Sequence, residues 1–154
     1  MATITHSESI YVKASPEALY DLITDLSNMG KWSPICKASW WKEGEGPRAG
    51  AWFVGRNETD YDSWETECLV DIAEPGKEFS FLVEGDLIRW GYRFTPSEGG
   101  TELTEYWEFL EPGLQYFKDT YGDEAQWHID RRTKEAIDGI GDTLKAIKAS
   151  AEEN

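Results

Sequence analysis

Four polar residues, Asn57, Glu105, Gln126 and Asp130, fall at positions where the surrounding pattern calls for an apolar side chain. Glu105 is the sharpest case. Residues 101–109, TELTEYWEF, alternate as a half-buried strand does, and the face that carries Leu103, Trp107 and Phe109 also carries Glu105. A carboxyl group on a core-facing side is either held neutral by a raised pKa or costs several kcal/mol in lost hydration. Two kinds of chemistry would use such a group. As an acid or base it would abstract a proton next to a carbonyl, with Asn57 or a tryptophan indole N–H steadying the enolate. As a recognition element, together with Gln126 and Asp130, it would hold an amine, a hydroxyl or a water inside an aromatic pocket. Both require space around Glu105, hydrated or filled by a ligand. Two arrangements remove that need: a bulge that turns Glu105 outward, or an ion pair with a basic residue such as Arg56.

Other constellations are thinner. Neither His6 nor His128 has a serine or cysteine nucleophile that the pattern places beside it. Cys36 and Cys68 are too few for a disulfide framework, and their spacing matches no metal-ligand pattern, so both are expected to be packed thiols. No metal site and no cofactor are expected. The glycine-rich GEGPRAG at 44–50 lies between strands and opens no helix, which makes it a turn and not a phosphate loop.

The elements that must position these residues follow from periodicity. A strand over 4–13 runs into ASPEALYDLITDL, where Ser15 is an N-cap, Pro16 suits the first helical position, and Leu19, Leu22, Ile23 and Leu26 recur at helical spacing. SNMGKWSP breaks that helix, with Trp32 turned inward. Six strand-like segments follow, at 36–43, 50–59, 64–73, 78–84, 88–95 and 102–110, separated by short turn signals that imply an antiparallel meander. Alternation puts Phe79, Phe81 and Val83 on one face, as it does Ile88, Trp90, Tyr92 and Phe94, with Arg89 and Arg93 opposite. Phe53, Gly55 and Asn57 share the inward face of their strand. From about residue 123 a long helix presents Ile137, Ile140, Leu144 and Ile147 as one stripe, and projecting that stripe backward brings Gln126, Ile129, Asp130 and Thr133 onto the same face, with His128 opposite in solvent.

These elements make one α+β domain over residues 1–154: a curved, about seven-stranded antiparallel sheet, a short helical pair after the first strand, and a long C-terminal helix laid on the sheet. Between helix and sheet, Phe53, Phe81, Trp90, Tyr92 and Trp107 form expected walls, while Asn57, Glu105, Gln126 and Asp130 supply polar contacts. Eight tryptophans and six phenylalanines would equally fill a closed core. In EPGLQYFKDTYGDEAQW, residues 111–127, Pro112, Gly113 and Gly122 interrupt a helical pattern that carries Leu114, Tyr116, Phe117 and Tyr121, which suits either a lid, with Phe117 touching the ligand, or a hinged start to the last helix.

Composition removes other classes. A formal net charge of -15 lacks the basic footprint that nucleic acid or an anionic membrane surface demands. The opening MATITHSESI has no signal-peptide pattern and no apolar run is long enough to span a bilayer, so neither export nor membrane insertion is expected, and the protein is expected to be cytoplasmic, as a monomer or homodimer.

The order of strand, helix, break, six-stranded meander and long helix, with SPEALYDLITDLSNMGKWSP, GAWFVGRN at 50–57, WETECLVDIAEPGKEFSF at 64–81, RWGYRFTP at 89–96 and GGTELTEYWEF at 99–109, resembles the helix-grip superfamily. That superfamily includes START domains and the birch pollen allergen, and within it the chain is most similar to the bacterial polyketide cyclase/dehydrase-like group. The resemblance implies a deep, largely apolar cavity between sheet and last helix and a small hydrophobic partner that is lipid- or polyketide-like. It also implies two alternatives: a cyclase/dehydrase, here with Glu105 as acid or base, or a partner-binding module like a related co-chaperone. Cyclising members commonly use cavity arginine, whereas Arg89 and Arg93 alternate outward here.

Overall fold

The computed structural model describes residues 3–43 and 46–153. In chain order the elements are β1 (Ile4–Val12), α1 (Pro16–Thr24), a 3-10 turn at Leu26–Asn28, α2 (Met29–Trp32), β2 (Cys36–Glu43), β3 (Trp52–Glu58), β4 (Ser63–Glu74), β5 (Glu78–Val83), β6 (Ile88–Ser97), β7 (Gly100–Phe109), α3 (Glu111–Tyr121), a 3-10 turn at Gly122–Glu124, and α4 (Ala125–Glu152). Residues 44 and 45, in the turn expected between β2 and β3, lie outside the described residues.

All seven strands form one antiparallel sheet in the order β1-β7-β6-β5-β4-β3-β2, a meander closed by the first strand pairing with the last. Register shifts in β2, between Cys36 and Ala38, and in β4, between Val70 and Ile72, insert extra residues that bend their strands. The helix after β1 starts where capping chemistry predicts: the Ser15 hydroxyl accepts the Ala18 N–H at 3.1 Å, and Pro16 opens the first turn. α1 then buries Leu19, Tyr20 and Ile23, and Tyr20 meets Phe79 and Phe94 edge-on across the sheet.

Here the interior is solid. Phe79, Phe94, Leu103 and Val12 pack with Ile140, Leu144 and Ile147 of the C-terminal half of α4 in one buried cluster. Toward the other end of the same strands, at Phe81, Trp90 and Glu105, the N-terminal half of α4 stands off the sheet and a cavity opens. The sheet's opposite face is wet: Arg89 reaches Asp71 and Glu108, and the Arg93 guanidinium lies 4.2 Å over the Tyr106 ring.

The phase of α4 differs from the periodic expectation. Ile140, Leu144 and Ile147 are buried, but Ile137 is 40% exposed, and Ala136, Gly139 and Thr143 take the inward side. The buried face is thus turned by roughly half a residue step, ~50° at about 100° per residue, from the stripe of large apolar side chains. The cause is close packing by small residues, which a count of bulky ones passes over: a Cβ on Gly139 would stand 3.4 Å from the Pro34 ring. The rotation carries Gln126 and Asp130 to the exposed side, where Gln126 Nε2 donates to Asp130 Oδ1 at 2.8 Å. His128 is half-buried instead of solvent-facing, because α3 folds back and stacks Tyr121 on its ring at 3.7 Å.

Candidate functional site

The cavity measures about 750 Å³, within the range that accepts a drug-sized molecule. Its walls come from the inward faces of β3 to β7, from α4, from α3, and from the link between α2 and β2. Of the residues expected there, Phe53, Asn57, Phe81, Trp90, Tyr92, Glu105, Trp107 and Phe117 all line it. Gln126 and Asp130 do not, for the reason of helix phase given above. Several of the aromatic side chains in and behind the walls meet edge to face, a favoured ring geometry. Phe53 meets Phe81 at 4.9 Å, Trp107 meets Phe109 at 5.9 Å, and Phe109 meets Phe117 at 5.1 Å.

Glu105 faces inward. β7 pairs with β1 and β6 without a bulge, so strict alternation directs its side chain to the concave side, where it is 3% exposed. Arg56 is exposed and no ion pair forms between them. The Tyr92 hydroxyl, on the neighbouring strand, hydrogen-bonds the carboxyl, while Oε1 has no partner. Across the other edge Glu8 stands in register with Glu105 and holds His6 Nε2 at 2.7 Å. Burial pushes the Glu105 pKa up to about 8; the Tyr92 hydrogen bond opposes that shift and the Glu8 carboxylate adds to it. At neutral pH Glu105 is therefore mainly a neutral acid whose buried Oε1 has no hydrogen-bond partner. Burial and the adjacent carboxyl also raise Tyr92 well above the usual phenol range.

A second polar patch lies on the opposite wall. Asn57 Nδ2 reaches Thr66 Oγ1 at 3.3 Å, Cys36 Sγ lies 3.3 Å from Ser39 Oγ, and Gly55 between them leaves room. Burial raises both thiols, Cys68 up to about 12, so neither is a thiolate nucleophile at neutral pH.

Two structures border the opening. Arg132 of α4 lies 4.5 Å over the Trp64 ring of β4 and donates to Glu135 at 3.1 Å, bridging helix and sheet. On the other side α3 brings Tyr116, Phe117 and Tyr121 to the cavity. α3 is anchored through Leu87, whose carbonyl accepts the Leu110 N–H at 3.1 Å, and Gly113 passes so close that a Cβ would stand 2.2 Å from that oxygen. Gly122, at φ 54°, ends α3 in a conformation glycine adopts without strain.

Trp64, Thr66 and Cys68 alternate with Glu65 and Glu67 along β4, a pattern that gives them a shared face but not their place in the cavity, which depends on where α4 leaves the sheet. Arg132 and Glu135 carried no signal at all: a charged pair on a helix usually marks the solvated side. Among the described residues no cluster of three His, Cys, Asp or Glu side chains is arranged to hold a metal ion, and no helix is long and apolar enough to cross a membrane.

Residues 3–144 match the family described as polyketide cyclase / dehydrase and lipid transport. The chain belongs to that family. A polyketide-cyclase-like protein of Corynebacterium glutamicum, solved in solution by NMR, is 41% identical over 96% of this chain and 90% of its own, with a TM-score of 0.71. Two other solved structures share the fold at low identity. The di-domain ARO/CYC protein of the steffimycin biosynthetic pathway is 16% identical, covering 98% of this chain and 51% of its own, at a TM-score of 0.70. The major latex-like protein 151 of Panax ginseng is 11% identical, covering 97% and 98%, at 0.71. No curated protein matches the sequence. The chain's seven-stranded sheet and long C-terminal helix are thus a helix-grip fold, compatible with binding hydrophobic ligands.

Proposed function

We propose that this protein binds a small hydrophobic, ring-bearing molecule in the cavity between sheet and α4 and acts as its carrier or sensor. The observation that carries this reading is the cavity itself: about 750 Å³ walled by Phe53, Phe81, Trp90, Trp107 and Phe117, in a chain whose other half packs solidly. Burying a ring against such walls gains about 25 cal/mol per Å² of apolar surface removed from water. Glu105 with Tyr92, and Asn57 with Thr66, supply polar contacts at two ends. α3 serves as the lid, opening by loss of the Phe117–Phe109 and Tyr121–His128 ring contacts. The free, protonated thiols suit a reducing compartment such as the cytoplasm.

One observation favours a second reading, an acid–base enzyme. A carboxyl with a pKa near 8 and an unengaged oxygen is suited to proton transfer at neutral pH. Against it, Arg89 and Arg93 lie on the far face of the sheet, and the sole lining cation among the described residues, Arg132, is engaged at the mouth.

Filling the cavity tests the binding reading. Gly55 lines it from β3, and a Cβ there meets Cys36 and Thr66 at ordinary contact distances of 3.4 Å, so a larger side chain enters the cavity without disturbing the strand. Gly55→Phe is expected to weaken binding of a neutral naphthyl alcohol at least about tenfold, ~1.4 kcal/mol, with the melting temperature little changed. Equal affinity for both proteins in a calorimetric titration would place the binding elsewhere.

A further inference from the structure

The acid and base side chains that line the cavity are almost all acids. Glu105 lies inside, and Glu65, Glu84, Asp86 and Glu135 contribute to the lining, against Arg132 alone among the described residues. Arg132 is occupied, paired to Glu135 and stacked on Trp64. Around Glu105 itself, β1 presents Glu8 with His6 bound to it, β6 presents Tyr92, and α4 presents the Arg132–Glu135 pair at the rim. None of these supplies a donor to Oε1, which is buried and has no partner, on a side chain that lines the cavity. The rings beside it, Trp90, Tyr92 and Trp107, offer π faces that attract cations and repel anions.

We infer that the ligand is a cationic amphiphile: an apolar or aromatic body carrying a protonated amine, whose ammonium seats against Glu105 Oε1 and the neighbouring rings. This rests on the binding function proposed above and narrows it. An ammonium supplies the missing donor, pairs with the carboxylate that forms as Glu105 gives up its proton, and gains from the ring faces, three contributions that offset its own desolvation. At the Glu105 end a carboxylate-tailed ligand would meet a carboxyl, the neighbouring Glu8 and ring faces, with the lining cation Arg132 already paired to Glu135 at the rim. The acidic lining and the net charge of -15 also steer a cation toward the mouth.

Proton balance gives the inference a signature. At pH 7 Glu105 holds a proton, since burial raises its pKa to about 8, and the amine arrives as ammonium. Forming the ion pair sends the Glu105 proton to solvent. Below pH 8, amine affinity therefore rises nearly tenfold with each pH unit of increase, and it levels off above pH 8. A neutral ligand that accepts a hydrogen bond from the acid shows the opposite trend above pH 8.

Three probes with one ring system separate the cases: 2-(1-naphthyl)ethylamine, 2-(1-naphthyl)ethanol and 1-naphthaleneacetate, titrated calorimetrically into the full chain at pH 6, 7 and 8. The amine is expected to bind at least tenfold tighter than the alcohol at pH 8, to lose most of that advantage by pH 6, and to release about one proton at pH 7. The acetate binds weakest. In Glu105→Gln the preference for amine over alcohol falls below about threefold and its pH slope disappears. An amine bound no better than the alcohol at pH 8, or with no pH slope in the unaltered protein, overturns the inference and leaves the cavity function standing. Failure of all three probes to bind overturns both.

Discussion

Glu105→Gln is expected to make the protein more stable at neutral pH and to flatten its dependence on pH. In the unfolded chain the carboxyl titrates near its ordinary value of 4.5, whereas in the fold burial holds it near 8. Between these values the folded state binds the extra proton, so stability falls as pH rises through that window. Below about pH 4.5 both states are protonated and the group costs nothing electrostatically. At pH 7 the penalty integrates to ~3 kcal/mol, since each pH unit above 4.5 adds about 1.4 kcal/mol. Glutamine keeps the shape and can still accept the Tyr92 hydrogen bond, but never ionises. The variant should therefore unfold several degrees higher than the parent at pH 7 to 8, on the scale of about 2–4 °C per kcal/mol for a domain of this size, and converge with it near pH 4.5. Parallel melting curves across this range would mean that water or a counter-charge reaches Glu105 in the native state.

The second large effect is expected at Trp107. Its side chain is 1% exposed, set on β7 between the Trp90 and Phe109 rings and opposite His6 of β1. Truncation to alanine removes the largest fully buried side chain and joins the hole to the existing cavity, so the surroundings cannot close over it. Trp107→Ala should cost about 3–5 kcal/mol, read as a lower urea midpoint with an unchanged slope. A loss under about 1 kcal/mol would show that the indole borders open space with few contacts.

Much of the architecture was legible because strand alternation and turn residues agree with each other along residues 36–110. The inward set Phe53, Phe81, Trp90, Tyr92, Glu105 and Trp107 follows from a period of two, which tolerates no phase error without moving every side chain to the other face. Helix faces are less forgiving of partial information. On α4 the bulky Ile137, Ile140, Leu144 and Ile147 define a stripe, but packing is set by Ala136, Gly139 and Thr143, and the resulting turn of the helix is enough to expel Gln126 and Asp130 from the inward face. The mouth was illegible for another reason. Arg132 meets Trp64 from a distant part of the sequence, a contact that depends on the sheet's curvature and leaves no local pattern. His128 shows the same limit on a smaller scale, since its burial depends on α3 turning back at Gly122.

The central claim is that the space between the sheet and the N-terminal half of α4 receives a small apolar molecule. The most direct test is a titration of isotope-labelled protein with 2-(1-naphthyl)ethanol, followed through backbone amide and indole N–H resonances. A single saturable site is predicted, with the largest shifts at Asn57, Trp64, Trp90, Glu105 and Trp107, while Arg93 and Glu108 on the far face stay in place. Shifts confined to the far face, or no saturable change, would contradict it.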